Sequence, residues 1–181
     1  DSIYRSYSIY LLTFVDYQLI TKAQFIKEYA KLGRKAFFTC GADTGHFKPL
    51  KEDYKYDVSF IGTPKVDRAD YIRHLIANGI KVDLYGSGWE KYPEFKEMYY
   101  GKVSHNDFVK VINQTKINLC LSKNYNGEVH ILERFFEINA CNAFGLTEHS
   151  SGYDDIFEEG EDMVTFKTKE DLLEKIKFYL K

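Results

Sequence analysis

Four polar residues in the C-terminal half of the chain, His130, Glu133, Arg134 and Glu137, follow the spacing of one helical face. At about 3.6 residues per turn they share that face, whereas the apolar residues between them populate the other. Two carboxylates, a guanidinium and an imidazole would then lie beside the positive end of a helix dipole, where a ligand site could form. A solvated surface face is the alternative, since Glu133 and Glu137 around an arginine are common on helix surfaces. Periodicity alone favours this alternative.

The loop from Gly62 to Lys65 follows a predicted strand and leads into a helix. Its backbone amides and the helix dipole could hold a phosphate group, with Thr63 nearby and Lys65 or Arg68 as counter-charge. A tight turn with solvated cations explains the same residues equally well. The glycine patterns of dinucleotide-binding enzymes and of P-loop NTPases are absent from the sequence, which argues against both classes.

A second loop places two glycines at the end of a strand. Gly86, Ser87 and Gly88 would let the backbone approach a ligand closely, and the indole of Trp89 could wall the same cleft. Trp89 could equally be a core residue at the sheet edge, and this interpretation is slightly favoured.

A third loop, residues 122–127, carries the most polar groups. Its pair Asn126 and Gly127 would leave backbone amides free beside a helix that we expect to begin near Glu128 or Val129. A simple turn explains the pair equally well.

Composition narrows the class of function. The chain has 181 residues with 25 Lys and Arg against 27 Asp and Glu, so it lacks the basic character of a nucleic-acid-binding protein. The five histidines show no ligand spacing, and we therefore predict neither a metal site nor a bound cofactor. No serine lies in a G-x-S-x-G hydrolase elbow, and no apolar run reaches the length of a membrane span.

The three cysteines, Cys40, Cys120 and Cys141, are an odd number without C-x-x-C spacing. We predict reduced residues in a cytoplasmic protein, with Cys120 and Cys141 in apolar segments of the core. The sequence begins at Asp1 without an initiator methionine, which leads us to expect a fragment or a processed form.

The elements that would position these loops alternate along the chain. Apolar runs that read as buried strands alternate with amphipathic helices, which predicts an α/β fold with a doubly wound, Rossmann-like parallel sheet. In such a sheet, ligands bind at the carboxyl ends of the strands. The predicted strands lie near residues 15–21, 35–39, 57–62, 80–86, 98–101, 116–122, 143–147 and 163–166, and the predicted helices span 21–32, 66–78, 104–115, a segment from 128 or 129, and 168–180.

Five sequence blocks occur in a familiar order: FIGTP, LYGSGW, YYGKVSHNDFVKVINQTKINLCLS, ERFFEINACNAFGLTE and FEEGEDMVTFKTKEDLLEKIKFYL. Together they resemble the C-terminal domain of GT-B glycosyltransferases, over roughly Tyr56 to Lys181. More narrowly they resemble the spore-maturation-protein-like branch, with its R-x-F-E-x-x-A-C block before a strand and F-x-x-G-x-E-x-V-x-F segment before the last helix. Residues 1–50 would then be a remnant of the N-terminal domain and the interdomain connection, and residues 51–181 the donor-binding domain.

The resemblance implies a site for a nucleotide-sugar donor. Glu137 matches the glutamate that holds the ribose hydroxyls, and a carboxylate can accept two hydroxyl protons at once. The helix N-terminus near Gly127 would meet the diphosphate, helped by Arg134 or Lys65, and Val103 falls where the backbone contacts the base. Where related families carry a first carboxylate, this sequence has Val129.

The implied function is transfer of a sugar from a nucleoside diphosphate sugar to an unknown acceptor, without a metal ion. The N-terminal domain or a partner chain would supply the acceptor site, and the fragment can lack activity without it. The alternatives are a non-catalytic nucleotide-sugar-binding or partner-binding module and a sugar-nucleotide epimerase of similar architecture. The candidate donor-binding residues are Gly62, Thr63, Lys65, Arg68, Gly86, Ser87, Gly88, Val103, Asn126, Gly127, Glu128, His130, Glu133, Arg134 and Glu137.

Overall fold

The computed structural model describes residues 16–20, 35–38, 40–65, 67–125, 127–154 and 156–181. The chain divides into two compact units, Asp1–Cys40 and Gly41–Lys181. In the first unit, strand β1 (Tyr17–Ile20) pairs in parallel with β2 (Lys35–Phe38), and both strands were predicted. The helix predicted over residues 21–32 lies outside the described residues.

The second unit is built on a parallel sheet of five strands. The strands are β3 (Tyr56–Ile61), β4 (Asp83–Tyr85), β5 (Thr115–Cys120), β6 (Gly145–Glu148) and β7 (Val164–Phe166), and the helices are α1 (Arg68–Ala77), α2 (His105–Asn113), α3 (Glu133–Ala140) and α4 (Lys169–Tyr179). All strand neighbours run parallel, in the order β4-β3-β5-β6-β7. This arrangement confirms the predicted doubly wound α/β class.

Burial along the central strands explains why they read as continuous apolar runs. Val58, Ser59 and Phe60 of β3 are consecutive and all buried, as are residues 117–120 of β5. Side chains alternate between the two faces of a strand, so consecutive burial means that both faces of the sheet are covered. The chain runs outward from β3 to β4 and then returns to the other side of β3 as β5, which places the topological switch point between β3 and β5.

Local sequence fixes where two of the helices begin. Ser104 precedes α2, and its Oγ accepts a hydrogen bond from the backbone N–H of Asp107 at 3.1 Å, at the start predicted for this helix. Thr168 caps α4 in the same way through the N–H of Asp171. Within the described ranges, every helix is too short or too polar to cross a membrane.

Two predicted elements were wrong. The strand expected near residues 98–101 is replaced by a 3₁₀ turn (Pro93–Met98) and a single bridge between Tyr99 and Leu84. The helix expected from Glu128 or Val129 begins at Glu133. Residues 124–128 instead close a hydrogen-bonded loop, in which the N–H of Glu128 donates to Oδ1 of Asn124 and the N–H of Asn124 donates to the carbonyl of Glu128. A polar side chain that bonds to nearby backbone competes with helix formation in this way.

Candidate functional site

The loops on either side of the switch point bring two arginines to the carboxyl edge of the sheet. Arg68 is the first residue of α1, which follows β3, and Arg134 is the second residue of α3, which follows β5. Because β3 and β5 are adjacent and parallel, both helices begin at the same edge. We call the space between the loops 62–67 and 121–132 the switch-point crevice.

Arg134 is held by an aromatic ring and by one carboxylate. Its guanidinium carbon lies 4.0 Å from the centroid of the Phe108 ring. Its Nε lies 3.0 Å from Oε2 of Glu137, one helical turn further on, in an ion pair. Burial lowers the pKa of Arg134, and the carboxylate of Glu137 opposes that shift, so the guanidinium remains cationic.

Arg68 has a similar setting on the other side of the crevice. Its Nη1 donates to the carbonyl of Thr63 at 3.1 Å, and its guanidinium carbon lies 5.6 Å from the centroid of the Phe60 ring. Burial lowers the pKa of Arg68. Burial is the main cause of the lowered pKa of Arg134, and the positive charge of Arg68 adds to it as the weakest of the causes.

Several buried donors at this edge lack hydrogen-bond partners. Among the described residues, Nε of Arg68, Oγ of Ser122, and Nε and Nη1 of Arg134 are buried without a hydrogen bond. Ser122 follows β5 by two positions, and the contact of Arg134 Nε with Glu137 is an ion pair without hydrogen-bond geometry. Buried polar groups in proteins are nearly always hydrogen-bonded. Nε of Arg134 is engaged by Glu137, but Nε of Arg68, Nη1 of Arg134 and the hydroxyl of Ser122 are donors that a bound oxyanion within reach would satisfy.

A chain of charged side chains crosses the switch-point crevice. Nζ of Lys123, in the loop after β5, lies 2.6 Å from Oδ2 of Asp67 and 3.7 Å from Oε1 of Glu148. Glu148 closes β6 and is 3% exposed, and its Oε2 accepts the backbone N–H groups of Ser122 and Lys123. These three residues were not among the candidates predicted from the sequence. Glu148 could have indicated them, because a carboxylate that ends an apolar strand needs buried partners.

Glycines allow the loop that begins at Gly62 and the loop that begins at Gly86 to approach each other closely. Gly86 has φ +116°, and a Cβ there would lie 2.4 Å from the carbonyl oxygen of Gly62. The indole N–H of Trp89 donates to the same carbonyl at 2.7 Å. Trp89 is 1% exposed and packs edge-on against Phe60, so it belongs to the core, as the favoured interpretation held. Gly88 lies in the left-handed region, and a Cβ there would be 3.0 Å from Pro64.

Sequence comparison places this arrangement in a family. A family model described as "Glycosyl transferase-like" matches residues 67–181, a range that contains all four helices and both arginines. The chain belongs to this glycosyl transferase-like family. No curated protein sequence matches the chain.

Solved structures share the fold of the glycosyl transferase-like chain. Sucrose-phosphate synthase from Thermosynechococcus elongatus matches with a TM-score of 0.70 and 14% identity, over 99% of this chain and 53% of that one. Anabaena HepE in complex with UDP and glucose matches with a TM-score of 0.68 and 10% identity, over 91% and 53%. AviGT4, a glycosyltransferase involved in avilamycin A biosynthesis, matches with a TM-score of 0.62 and 12% identity, over 92% and 56%. The fold is therefore a Rossmann-like α/β fold that matches GT-B glycosyltransferases, and the chain spans about half the length of these proteins.

The position of His130 corrects one expectation about the glycosyl transferase-like domain. His130 precedes α3, so it does not share a helical face with Arg134 and Glu137. It is buried, and its Nε2 lies 2.7 Å from Nδ2 of Asn124, inside the loop that replaced the expected helical turn. The side chain of Glu128 is bonded within the same loop, where its Oε2 accepts a hydrogen bond from Nδ2 of Asn124 at 3.0 Å.

The remaining candidates differ in exposure. Glu133 and Lys65 are exposed, and Val103 is half-buried in the loop before α2. Gly127 has φ +79°, with no neighbouring atom within 4 Å of a Cβ built there. Asn126 lies outside the described residues, and the exposed Ser87 follows Gly86. Over the described part of the chain, His, Cys, Asp and Glu side chains form no group of three or more that could hold a metal ion.

Proposed function

We propose that the chain is the donor-binding part of a glycosyltransferase that transfers a sugar from a nucleoside diphosphate sugar to an acceptor. The observation that carries this proposal is the pair of arginines, Arg68 and Arg134, with buried nitrogens that lack hydrogen-bond partners among the described residues. Two adjacent cations at helix N-termini suit two adjacent phosphates. The assignment to the spore-maturation-protein-like branch remains part of the proposal.

The positions of Arg134 and Glu137 fit the order of groups in a nucleotide. Their side chains touch at 3.0 Å, just as the ribose of a nucleoside diphosphate adjoins its first phosphate. Glu137 would accept hydrogen bonds from the ribose hydroxyls, while Arg134 and Arg68 bind the diphosphate. The backbone near Val103 would contact the base.

The same groups would assist the chemical step. When the bond between the sugar and the diphosphate breaks, negative charge collects on the leaving oxygen, and the acceptor oxygen bonds to the sugar as it loses its proton. Fixed cations and helix dipoles stabilise such a charge without reorganisation. We propose that Arg68 and Arg134 supply this stabilisation in place of a metal ion. The acceptor site and the base would come from an N-terminal domain or a partner chain.

A non-catalytic nucleotide-sugar-binding module is the second candidate function. The observation that favours it is Val129, which stands where related families carry a carboxylate and which pairs with Lys123 in an isolated antiparallel bridge. Under this candidate function Glu128 would not replace that carboxylate, and its hydrogen bonds with Asn124 within the loop support this. Such a module would bind the nucleotide part of the donor and gain little affinity from the sugar.

Calorimetric titration of the whole chain with UDP, GDP, TDP and their sugars tests the proposal. We expect one nucleoside diphosphate to bind with a Kd well below the millimolar range, and its monophosphate to bind more weakly. If none of the compounds binds below the millimolar range, the donor-site proposal is wrong. Greater affinity for the sugar nucleotide than for the diphosphate separates a glycosyltransferase from the second candidate.

An arginine on the same helix provides a matched control. Arg68→Gln should weaken binding of the diphosphate about tenfold, as expected for loss of a charge-assisted hydrogen bond. Arg73→Gln removes an arginine that pairs with Asp70 and Glu94 on the exposed side of α1. It should leave the affinity unchanged, and equal losses in the two variants would point to a nonspecific charge effect.

A further inference from the structure

The ion pair between Lys123 and Asp67 is not among the contacts proposed above to bind the nucleotide. The two side chains are 25% and 29% exposed, and they join the loop after β5 to the residue before α1. Asp67 occupies the N-cap position of α1, yet its side chain makes no capping hydrogen bond. Aspartate is among the residues that cap helices best. Its carboxylate is therefore committed to Lys123 at the expense of the helix amides.

The negative charge of Asp67 would repel an anion bound at Arg68, the next residue in the chain. Burial lowers the pKa of Arg68, and the charge of Asp67 raises it. An anion bound at Arg68 would meet this negative charge in a partly desolvated crevice, where repulsion is stronger than in water. Lys123 places a compensating positive charge 2.6 Å from the carboxylate.

Lys123 is itself fixed from several sides. Oε2 of Glu148 accepts its backbone N–H at 2.8 Å, Oε1 of Glu148 lies 3.7 Å from its Nζ, and that Nζ lies 5.6 Å from the centroid of the Tyr71 ring. Burial acts to lower the pKa of Lys123, but the hydrogen bond to Asp67 and the nearby acidic groups raise it overall. The ammonium group is therefore charged throughout the physiological range and is already engaged by carboxylates.

We propose that Lys123 is a positioning residue for anion binding, which neutralises Asp67 and holds it in place without contacting the anion. This inference rests on the proposed function for the identity of the natural ligand. Any diphosphate at Arg68 and Arg134 would experience the same charges, so inorganic pyrophosphate can report on it without a nucleoside.

A double-mutant series tests this role in the whole chain, by calorimetric titration with pyrophosphate and with UDP. Lys123→Met should weaken pyrophosphate binding at least about fivefold, because it leaves the charge of Asp67 uncompensated in a partly desolvated crevice. Asp67→Asn alone should strengthen binding, and Lys123→Met with Asp67→Asn should return to within about twofold of the original affinity. If the double variant stays as weak as Lys123→Met, Lys123 binds the anion directly and the proposal is overturned.

An ion pair between β5 and β3 themselves is the control. Lys116 and Asp57 lie 2.6 Å apart, near the amino ends of β5 and β3 and away from the crevice. Lys116→Met should leave pyrophosphate binding unchanged, and thermal unfolding shows whether each variant is folded. If Lys123→Met does not fold, unchanged or weaker binding in a folded Asp67→Asn variant overturns the proposal.

Titrations with pyrophosphate and with UDP distinguish the role proposed for Lys123 from the proposed donor site. UDP binding with no response of either ligand to the charge series would overturn the role of Lys123 while leaving the donor site in place. Pyrophosphate binding that follows the charge series, without tighter binding of any nucleotide, would support the role of Lys123 and count against the donor site. If pyrophosphate does not bind the unmodified chain, the role of Lys123 is overturned.

Discussion

The guanidinium carbon of Arg134 lies 4.0 Å from the centroid of the Phe108 ring. This contact joins the start of α3 to α2, two elements that follow different strands of the sheet. The ring supports the cation through its π-face and uses none of the guanidinium N–H groups. Phe108 therefore fixes Arg134 while leaving its donors available to a ligand.

Phe108→Leu is expected to weaken UDP binding about five- to thirtyfold, because a desolvated cation–π contact is worth about 1 to 2 kcal/mol. Phe108 is 8% exposed, and an apolar replacement of somewhat smaller volume should reduce the free energy of unfolding by about 1 kcal/mol. Calorimetry and urea unfolding measure the two effects separately. Tyr92→Leu is the matched control, since the Tyr92 ring supports the exposed Arg73 at 5.5 Å. Equal weakening of UDP binding in both variants would contradict the role of Phe108.

Glu137→Ala should weaken UDP binding by more than about 1 kcal/mol, as expected for loss of charge-assisted hydrogen bonds to the ribose. Pyrophosphate binding should not weaken, because the substitution releases Nε of Arg134 from its ion pair at 3.0 Å. Arg134→Gln should show the opposite pattern, with a larger loss for pyrophosphate than for uridine. Glu174→Ala, at an exposed position of α4, is the control. Similar losses for all ligands, accompanied by an equal loss of fold stability, would favour the solvated-face interpretation of Glu137.

Gly86→Ala should destabilise the fold by at least about 3 kcal/mol, through backbone strain and overpacking. The backbone has φ +116° at this position, and the added Cβ would lie 2.4 Å from the carbonyl oxygen of Gly62. Gly79→Ala provides the comparison, because Gly79 has φ +81° but no atom within 4 Å of the added Cβ. It should cost about 1 to 2 kcal/mol from the left-handed conformation alone. Equal shifts of the urea midpoint in Gly86→Ala and Gly79→Ala would show that the close contact between Gly86 and Gly62 does not add to the loss of stability.

Cys120 should make the stability fall at alkaline pH. Burial raises the pKa of its thiol from 9.0 to about 11, although Thr147 and the positive charge of Arg134 act in the other direction. The folded state holds the proton more tightly than the unfolded state, so this contribution is complete below pH 9 and is lost as the pH rises towards 11. It amounts to at most about 3 kcal/mol, at about 1.4 kcal/mol per pKa unit.

Urea unfolding at several pH values measures this contribution. The free energy of unfolding of Cys120→Ala should fall less steeply between pH 9 and pH 11 than that of the unmodified chain. In the folded chain at pH 8, the thiol should react slowly with iodoacetamide, and unfolding in urea should restore its reactivity. Parallel pH profiles of the two proteins would show that Cys120 does not hold its proton in this way.

The order and type of most elements follow from the sequence itself. Apolar runs gave β3, β5 and β7, and helical periodicity gave α2 and α4, which Ser104 and Thr168 cap in the structure. Burial of consecutive residues leaves a direct pattern in the chain, and a cap acts on backbone only three residues away. The nearness of Arg134 and Glu137 was equally local, because positions three apart on a helix are neighbours.

The start of α3 was less predictable. The sequence favours a helix from Glu128, but Asn124 bonds to the backbone of Glu128 and delays the helix to Glu133. Two local arrangements with similar hydrogen bonds compete here, and contacts with the rest of the fold decide between them. His130 was misplaced for this reason.

Only the tertiary structure decided which loops meet. Strand order places β5 between β3 and β6, and this brings Lys123 to Asp67 and to Glu148 across 56 and 25 residues of sequence. The same adjacency brings the helices that begin with Arg68 and near Arg134 to one edge of the sheet, whereas the pairing of β3 with β4 presses Gly86 against Gly62. Periodicity records which face of an element is buried, but it carries no information about which element covers that face. The candidate site lies at the junction of two non-consecutive strands, so its residues could be suspected one by one from the sequence, and their assembly depended on the sheet.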